Sequence, residues 1–400
     1  MYALAMSDGG LSAAQISSLF VVWSLTAFVA EVPSGAWADT IDRRALLVLS
    51  GLLYALAFGM WLLWPAYPGY LIGFVCWGVS SALMSGTFEA LLFDHLSTAG
   101  AAHRYAAVKG RAQTVAMLAM LAATASAGLL MTAGGFPMVG TVSVAMALLH
   151  TAVAAALPSS RAAAADPATA GGDADPADAD GDADHASEQP PSGTAAFGEY
   201  LSMLRSGLRE AAGVPRVRRV AILAAAMLGL TAYDEYFPLV LAEHGVAADR
   251  IPMLLAVIVA GQALGTALAG RTSRWSPRRI AWLYGVGAAL VGVGAIVGAP
   301  AGFVAIALGI GAVNNAFLIG EARLQESISG AARATVTSVS GLGSEVFSLA
   351  VFALVALGSA WWSIVTVMAL LAIPGVITAV VAARWLPPAQ GPEIPPPARE

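Results

Sequence analysis

Two adjacent carboxylates, Asp234 and Glu235, interrupt the apolar stretch LGLTAYDEYFPL. An ionisable side chain inside a membrane costs about 2.5–3.5 kcal/mol on insertion scales, so such groups commonly serve protons, ions or polar solutes. Arg218 precedes the pair by about 16 residues, or about 24 Å of helix, which places both acids toward the outer half of a span. Adjacent helical residues point about 100° apart, so at most one faces a cavity squarely. The pair is a candidate site for a proton or a cationic substrate, although a wet outer vestibule or a salt bridge explains it equally well.

Four further polar side chains at membrane depth are candidates for the same kind of site. Glu31 lies in the inner half of its predicted helix, where it can titrate or brace a cluster around Asp39. Gln262, Asn314 and Asn315 carry amides, which are unfavourable in lipid without a partner. Substrate or proton binding and hydrogen bonding between helices fit these amides equally.

A second group of acids lies close to the inner ends of predicted helices. Glu89 and Asp94 precede one such end, Glu321 occupies the equivalent place later in the chain, and Glu345 begins another helix, where it can pair with basic loops. We expect these four acids to act in a conformational gate or in helix capping rather than as substrate ligands.

The elements that must position these residues are transmembrane helices. Of the 400 residues, 58% are hydrophobic and only 11% are charged, and the mean hydropathy is +0.74, which excludes an ordinary water-soluble chain. A span needs about 20 apolar residues to cross about 30 Å of hydrocarbon. Eleven stretches qualify, at 15–38, 45–64, 69–93, 112–132, 137–157, 218–242, 251–270, 280–299, 302–322, 335–358 and 361–383. The fold class is therefore all-α and polytopic.

The basic residues indicate how these spans are oriented. Alternate loops carry 19 of the 20 Lys and Arg residues, and only Arg250 falls on the opposite side. Basic loops are retained in the cytoplasm, so the long loop near residue 160 and the C-terminus are predicted to be cytoplasmic. One Lys against nineteen Arg, with abundant Ala, indicates a GC-rich bacterium and hence its cytoplasmic membrane.

Three segments outside the spans have distinct compositions. Residues 159–195 are rich in Ala, Asp and Pro and are predicted to be a disordered acidic linker. Residues 196–215 have helical spacing of apolar residues, which predicts an amphipathic cytoplasmic helix, and a plain connector fits as well. Residues 386–400 are predicted to be a disordered cytoplasmic tail. A single cysteine, Cys76, excludes an intrachain disulfide.

The chain contains an internal repeat. At a shift of 235 residues four pairs align: Gly35 with Gly270, Asp39 with Arg274, Arg43 with Arg278, and Arg44 with Arg279. At a slightly different shift, EALLFDHL from Glu89 aligns with EARLQESI from Glu321. These matches predict two bundles of equal design, at 1–158 and 216–385.

If the two halves correspond, the span at 218–242 must have a counterpart in the first half. That counterpart would precede the span at 15–38. The shift places Met1 opposite Tyr236, so MYALAM would be the end of a largely truncated first helix. We therefore expect a twelve-helix, six-plus-six parent with about eleven complete helices in this chain. The alternative is a genuine eleven-helix protein.

The segment EVPSGAWADTIDRRALL resembles the signature loop of the major facilitator superfamily (MFS), Gly-x-x-x-Asp-x-x-x-Arg-Arg, between the second and third helices of that family. Gly35, Asp39, Arg43 and Arg44 occupy the matching positions. The resemblance implies two six-helix bundles around a central cavity and a loop that helps to control the inward-open and outward-open states. Independently of the family, Arg43 and Arg44 can pair with Asp39 or with lipid phosphate, either as a breakable latch or as a static anchor.

Other expected motifs are absent. The Arg in the fourth helix and the Gly-Pro-rich fifth helix of proton-coupled drug exporters in this family are missing. A phosphate-binding Gly-x-x-x-x-Gly-Lys loop, His-Glu-x-x-His and Gly-x-Ser-x-Gly do not occur, so we expect no enzyme activity, no cofactor and no metal. The sequence has no strongly basic face, so we do not expect nucleic acid as a partner.

We therefore expect a monomeric secondary transporter of a small organic solute, working by alternating access. The acids at 234 and 235 favour export of a cationic or drug-like compound coupled to protons, with membrane lipid as a further partner. An uptake permease is nearly as well supported. A non-transporting membrane scaffold or sensor with the same fold is the alternative from another class.

Overall fold

The computed structural model describes residues 1–158, 214–298, 300–327 and 332–389, and these residues form helices and turns without a strand. The predicted linker at 159–195, most of the predicted helix at 196–215 and residues 390–400 of the predicted tail lie outside the described residues. Ten apolar helical stretches in the described part are long enough to cross a membrane, which confirms the polytopic all-α class.

The first six helices precede the acidic linker. They are α1 (Tyr2–Asp8), α2 (Ala13–Thr40), α3 (Arg43–Leu63), α4 (Tyr67–Met84), α5 (Thr87–Thr98) and α6 (Tyr105–Ala156). α6 would be about 78 Å long if it were straight, more than twice the hydrocarbon thickness. Its backbone leaves the helical region at Gly134 and Gly135, where Gly135 has φ 62° and ψ −156°. This kink separates the predicted spans at 112–132 and 137–157, so ten helical stretches accommodate the eleven predicted spans.

Among the described residues from 214 onward there are seven α-helices. They are α7 (Pro215–Gly229), α8 (Phe237–Glu243), α9 (Ile251–Thr272), α10 (Pro277–Val297), α11 (Ala301–Ser327), α12 (Ala332–Gly358) and α13 (Ile364–Trp385). A 3₁₀ segment at Leu230–Tyr236 connects α7 and α8 within one span, Val217–Glu243. Side-chain caps begin three of the described helices: Asp42 before α3, Ser276 before α10 and Ser363 before α13.

The described residues fall into two compact units. Unit 1 contains Met1–Val21, Met117–Phe136 and Met203–Glu400, and unit 2 contains Val22–Ala116 and Pro137–Ser202. The boundaries of the units fall within α2 and α6. The bundle limits of 1–158 and 216–385 stay a prediction.

Close helix packing in unit 1 depends on glycine. A Cβ at Gly265 of α9 would lie 2.0 Å from the carbonyl oxygen of Gly311 of α11, and one at Gly261 would lie 2.2 Å from that of Ala307. Such small residues allow two helix backbones to approach where lipid gives no hydrophobic driving force. The α9–α11 pair thereby holds the polar residues of both helices at fixed positions.

Unit 2 is built on aromatic packing between α2, α3 and α4. The rings of Trp23 and Trp77 lie 5.5 Å apart, and Tyr54 approaches Trp77 edge-on at 5.4 Å. Phe58, Trp61 and Phe74 complete this ring cluster. Offset and edge-to-face arrangements of this kind stabilise a core beyond the area that they bury.

Candidate functional site

The carboxylates Asp234 and Glu235 lie on the 3₁₀ segment that interrupts the Val217–Glu243 span. Pro238 has no backbone N–H, so the carbonyl of Asp234 cannot accept the usual α-helical bond from the residue four positions later. It accepts instead from the N–H of Phe237, three positions later, which is the 3₁₀ pattern. Pro238 thus accounts for the 3₁₀ bond at the carbonyl of Asp234, near the end of the segment.

Both acids line a cavity of about 350 Å³ within unit 1. Asp234 is exposed and Glu235 is partly buried. Gln262 of α9 and Thr124 of α6 add polar groups to the wall. The remaining lining residues are Met1, Tyr2, Met120, Ala123, Ala127, Phe237, Pro238, Leu255, Ile258, Val259 and Ile310. Of the sequence candidates, Asp234, Glu235 and Gln262 are therefore brought together.

Two tyrosines fix the acidic segment to the start of the chain. The hydroxyl of Tyr2 donates a hydrogen bond to Oε2 of Glu235. The fully buried Tyr236 bonds through its hydroxyl to Oγ of Ser17 at 2.7 Å, and its ring meets Phe20 edge-on at 5.5 Å. The sequence analysis did not identify Tyr2, because a tyrosine at the end of an apolar run is most often an interface residue.

The two asparagines serve helix packing between α9 and α11. Nδ2 of Asn314 donates to Oγ1 of Thr266 at 2.7 Å. Nδ2 of Asn315 donates to the carbonyl of Gly265 at 2.9 Å, and its Oδ1 accepts from Thr272 at 2.8 Å. Neither asparagine lines the Asp234 cavity.

Three other acidic candidates also lie away from the cavity lining. Glu31 is exposed on α2, and its carbonyl accepts a hydrogen bond from Ser34 at 2.8 Å. Glu321 is exposed on α11, and Glu345 is partly buried on α12. Within unit 1, neither Glu321 nor Glu345 lies in the lining that holds Asp234 and Glu235, and Glu31 belongs to unit 2.

Unit 2 contains a cluster of ion pairs around the start of α3. Arg43 pairs with Asp94 of α5, and Nζ of Lys109 lies 2.6 Å from Oε1 of Glu89. Asp42 caps α3 by accepting from the backbone N–H of Arg44 at 3.3 Å. Sequence reasoning identified Asp94 and Glu89 as gate elements but missed Asp42 and Lys109.

The pairing of Arg43 and Arg44 with Asp39 stays a prediction, and the contacts that the described residues make with the two arginines are different ones. The Arg43 guanidinium binds Asp94, 51 residues away, and Arg44 lies 3.8 Å from Asp42 and donates to the carbonyl of Leu157 at 3.4 Å. Gly35 and Asp39 belong to α2, and their side-chain environment lies outside the described part of the structure.

The repeated loop between α9 and α10 is held differently. Arg274, Arg278 and Arg279 are exposed, and a Cβ at Gly270 would meet nothing within 4 Å. Behind the loop lies Arg323 of α11, only 2% exposed. Its guanidinium donates to the carbonyls of Ser273 at 3.0 Å, Trp275 at 2.6 Å and Pro387 at 2.8 Å. The sequence analysis counted Arg323 only as a loop base.

The described residues, helical and with ten apolar stretches long enough to span a membrane, define a multi-pass membrane protein. The sequence profile of the Major Facilitator Superfamily matches residues 1–320. The chain therefore belongs to the major facilitator superfamily, whose members are transporters rather than enzymes. No curated protein sequence matches the chain.

Solved structures share the fold at low sequence identity. A mutant of the nucleoside transporter NupG matches with a TM-score of 0.69 and 13% identity over 94% of this chain and 92% of that one. A D-xylose-proton symporter matches with a TM-score of 0.65 and 14% identity, over 96% of this chain and 91% of that one. An auto-inhibited POT family peptide transporter matches with a TM-score of 0.64 and 13% identity, over 93% of this chain and 88% of that one. These similarities extend across both repeats.

Proposed function

We propose that this transporter moves a small organic cation by alternating access, with Asp234 as the cation ligand and Glu235 as the proton carrier. The observation that carries the proposal is the cavity in unit 1, where a broken helix presents two adjacent carboxylates. Discontinuous helices near the middle of the bilayer are a recurrent way to build substrate and ion sites in secondary transporters.

The charge of the lining supports a cationic cargo. Of the described residues that line the cavity, two have carboxylates and none has a Lys, Arg or His side chain, and the amino group of Met1, which interacts with Glu235, is the single cationic group among them. A carboxylate away from bulk water gains more from a cation than it would in water, because the local dielectric is low. The apolar remainder of the wall suits a hydrocarbon or aromatic body, and about 350 Å³ is at the small end of ligand sites.

The adjacency of the acids supports coupling to protons. Two ionised carboxylates on neighbouring residues repel each other, so one positive charge in the cavity relieves this repulsion. A proton on one acid and a bound organic cation are therefore alternative ways to reach the same charge. Mutual exclusion of this kind produces exchange of cation for proton, and with an inward proton gradient it drives export.

The ion pairs of unit 2 support a gate formed by Gly35, Asp39, Arg43 and Arg44 with Asp94 and Glu89. Arg43 joins the start of α3 to α5, and Lys109 joins α6 to α5. Both pairs are partly exposed, so each contributes only about 0.2–1 kcal/mol and can open during the transport cycle. Gly270, Arg274, Arg278 and Arg279 form the corresponding loop of the second repeat.

We place the protein as a monomer in a bacterial cytoplasmic membrane, with its basic loops, linker and C-terminus in the cytoplasm. Uptake with protons is the second candidate, since one structural neighbour is named a proton symporter. A scaffold or sensor without transport remains the alternative from another class. The direction of dye movement in the following experiment separates the three.

The test is movement of a fluorescent organic cation in vesicles, with the proton gradient imposed and then collapsed. We expect gradient-driven exchange in the wild type, loss of cation binding in Asp234→Asn, and exchange without proton dependence in Glu235→Gln. Asp8→Asn is the matched control because it removes an exposed carboxylate of unit 1 that lies outside both the cavity lining and the candidate gate. Unchanged transport and pH dependence in both cavity variants would remove the two acids from the mechanism. Absence of movement in the wild type would favour the scaffold or another cargo.

A further inference from the structure

The turn between α9 and α10 presents a compact basic surface. Arg271, Arg274, Arg278 and Arg279 are all exposed within nine residues. Trp275, at their centre, is 38% exposed. We call these five residues the α9–α10 basic patch. Arg and Trp together are typical of the interface between membrane and water, where the indole lies at the level of the headgroups.

The arginines of this patch have no acidic partner in the described part of the chain. None of the four takes part in an ion pair there, whereas both arginines of the equivalent loop in unit 2 lie near carboxylates. Two aligned loops of one chain therefore differ in how their positive charge is compensated. The charge of the basic patch is available for a ligand.

The shape of the patch is fixed from behind. Arg323 holds the carbonyls of Ser273 and Trp275, and Ser276 caps α10 by accepting from the N–H of Arg279 at 3.4 Å. A backbone held in this way presents its exposed side chains in one arrangement, which lowers the ordering cost of binding.

An apolar groove of about 240 Å³ begins at Trp275 and runs along α9. Leu264 and Leu268, which are 55% and 37% exposed, repeat every four residues along it, over about 12 Å of helix from Leu264 to Thr272. The polar groups of Thr272 and Asn315 in the groove bond to each other at 2.8 Å. The groove thus offers carbon surface immediately below a cationic surface.

We propose that the α9–α10 basic patch and this groove form a binding site for one anionic phospholipid. The guanidinium groups contact the phosphate and the headgroup, because Arg matches phosphate geometry with paired donors. An acyl chain lies in the groove beside Leu264 and Leu268. The site commits to a lipid rather than to a soluble phosphate, since the groove has no role in binding a free anion.

The test is native mass spectrometry of the intact chain in detergent, titrated with phosphatidylglycerol and with phosphatidylcholine of the same acyl chains. We expect tighter binding of phosphatidylglycerol. The Arg278→Gln/Arg279→Gln variant should bind it about thirtyfold more weakly, since each basic residue near an anionic headgroup contributes about fivefold. Its binding of phosphatidylcholine should not change. Equal binding of the two lipids by the wild type overturns the proposal.

The matched control is Arg104→Gln/Arg111→Gln. Those arginines are also exposed and take part in no ion pair in the described residues, so the control removes the same charge from another place, at and just after the start of α6. Phosphatidylglycerol binding should survive in the control, and equal weakening in both double variants would mean a bulk charge effect and refute a specific site. If the first variant cannot be purified, Arg271→Gln/Arg274→Gln tests the same patch.

A second set of measurements distinguishes binding of a phosphate headgroup alone from binding of the whole lipid. Inorganic phosphate and glycerol phosphate, each added at the lipid concentration, should not displace phosphatidylglycerol. Leu268→Trp, which fills the groove, should weaken phosphatidylglycerol binding with the arginines intact. Displacement by the soluble anions, or full binding in Leu268→Trp, would overturn the assignment to a lipid.

Discussion

Replacing Arg323 by Met should destabilise unit 1 more than any exposed arginine substitution does. The guanidinium is 2% exposed and donates to three carbonyls, at 2.6, 2.8 and 3.0 Å. Each hydrogen bond from a charged group contributes about 1.5–3 kcal/mol, and burial of the charge offsets several kcal/mol of the total. Met also removes the burial cost of the charge but leaves the carbonyls without this donor. We expect a net loss of about 2–4 kcal/mol.

Thermal unfolding of the purified chain in detergent measures this loss. At about 2–4 °C per kcal/mol for a unit of this size, Arg323→Met should lower the Tm by about 4–16 °C. Arg323→Lys should fall in between, since one ammonium group cannot reproduce the fork of the guanidinium. Arg278→Gln is the control, exposed on the loop that Arg323 holds, and should change stability by less than about 0.5 kcal/mol. Equal Tm values for Arg323→Met and the control would refute the argument that the three carbonyl contacts stabilise the unit.

Two further predictions concern helix approach and the gate. Gly265→Leu should prevent folding, because a Cβ at this position would lie 2.0 Å from a backbone oxygen of α11. Gly270→Ala should be tolerated, because a Cβ at Gly270 would have no atom within 4 Å. Similar yields of monodisperse protein for the two variants would contradict this. Arg43→Gln should slow cation exchange while changing the Tm little, and Asp94→Asn should have the same effect. The double variant should be no slower than either single variant. Additive slowing in the double variant, or wild-type exchange rates in the single variants, would argue against the pair as a latch.

The spans could be predicted because a membrane imposes one strong requirement, about 20 apolar residues in a row. The predicted 45–64 is observed as Arg43–Leu63, which starts two residues earlier because Asp42 caps it, and the predicted 251–270 is observed as Ile251–Thr272. The 3₁₀ segment before α8 was missed, since the apolar residues on both sides of it gave one continuous predicted span at 218–242. Pro238 was the available signal, because it denies a donor to the carbonyl of Asp234.

The site was only partly predictable, for a geometric reason. Gln262, Asn314 and Asn315 have the same chemistry and the same apolar surroundings in sequence, yet only Gln262 lines the cavity. The rotation of each helix about its axis decides this, and a single sequence contains no measure of that rotation. Arg323 escaped notice for a related reason, since its partners are backbone carbonyls, which every residue has.

The two copies of the repeated loop differ in the kind of contact that holds them, and this difference bears on which one can switch. In unit 2 the loop is tied by Arg43 and Asp94, a pair with side chains 21% and 42% exposed, which costs little to open and responds to salt. In unit 1 the loop is tied by a buried guanidinium to carbonyls, a contact that salt hardly reaches and that costs several kcal/mol to break. Sequence symmetry would suggest two equivalent latches. From the contact energies we instead propose a breakable latch in unit 2 and a static anchor in unit 1, which assigns each interpretation of the motif to a different repeat.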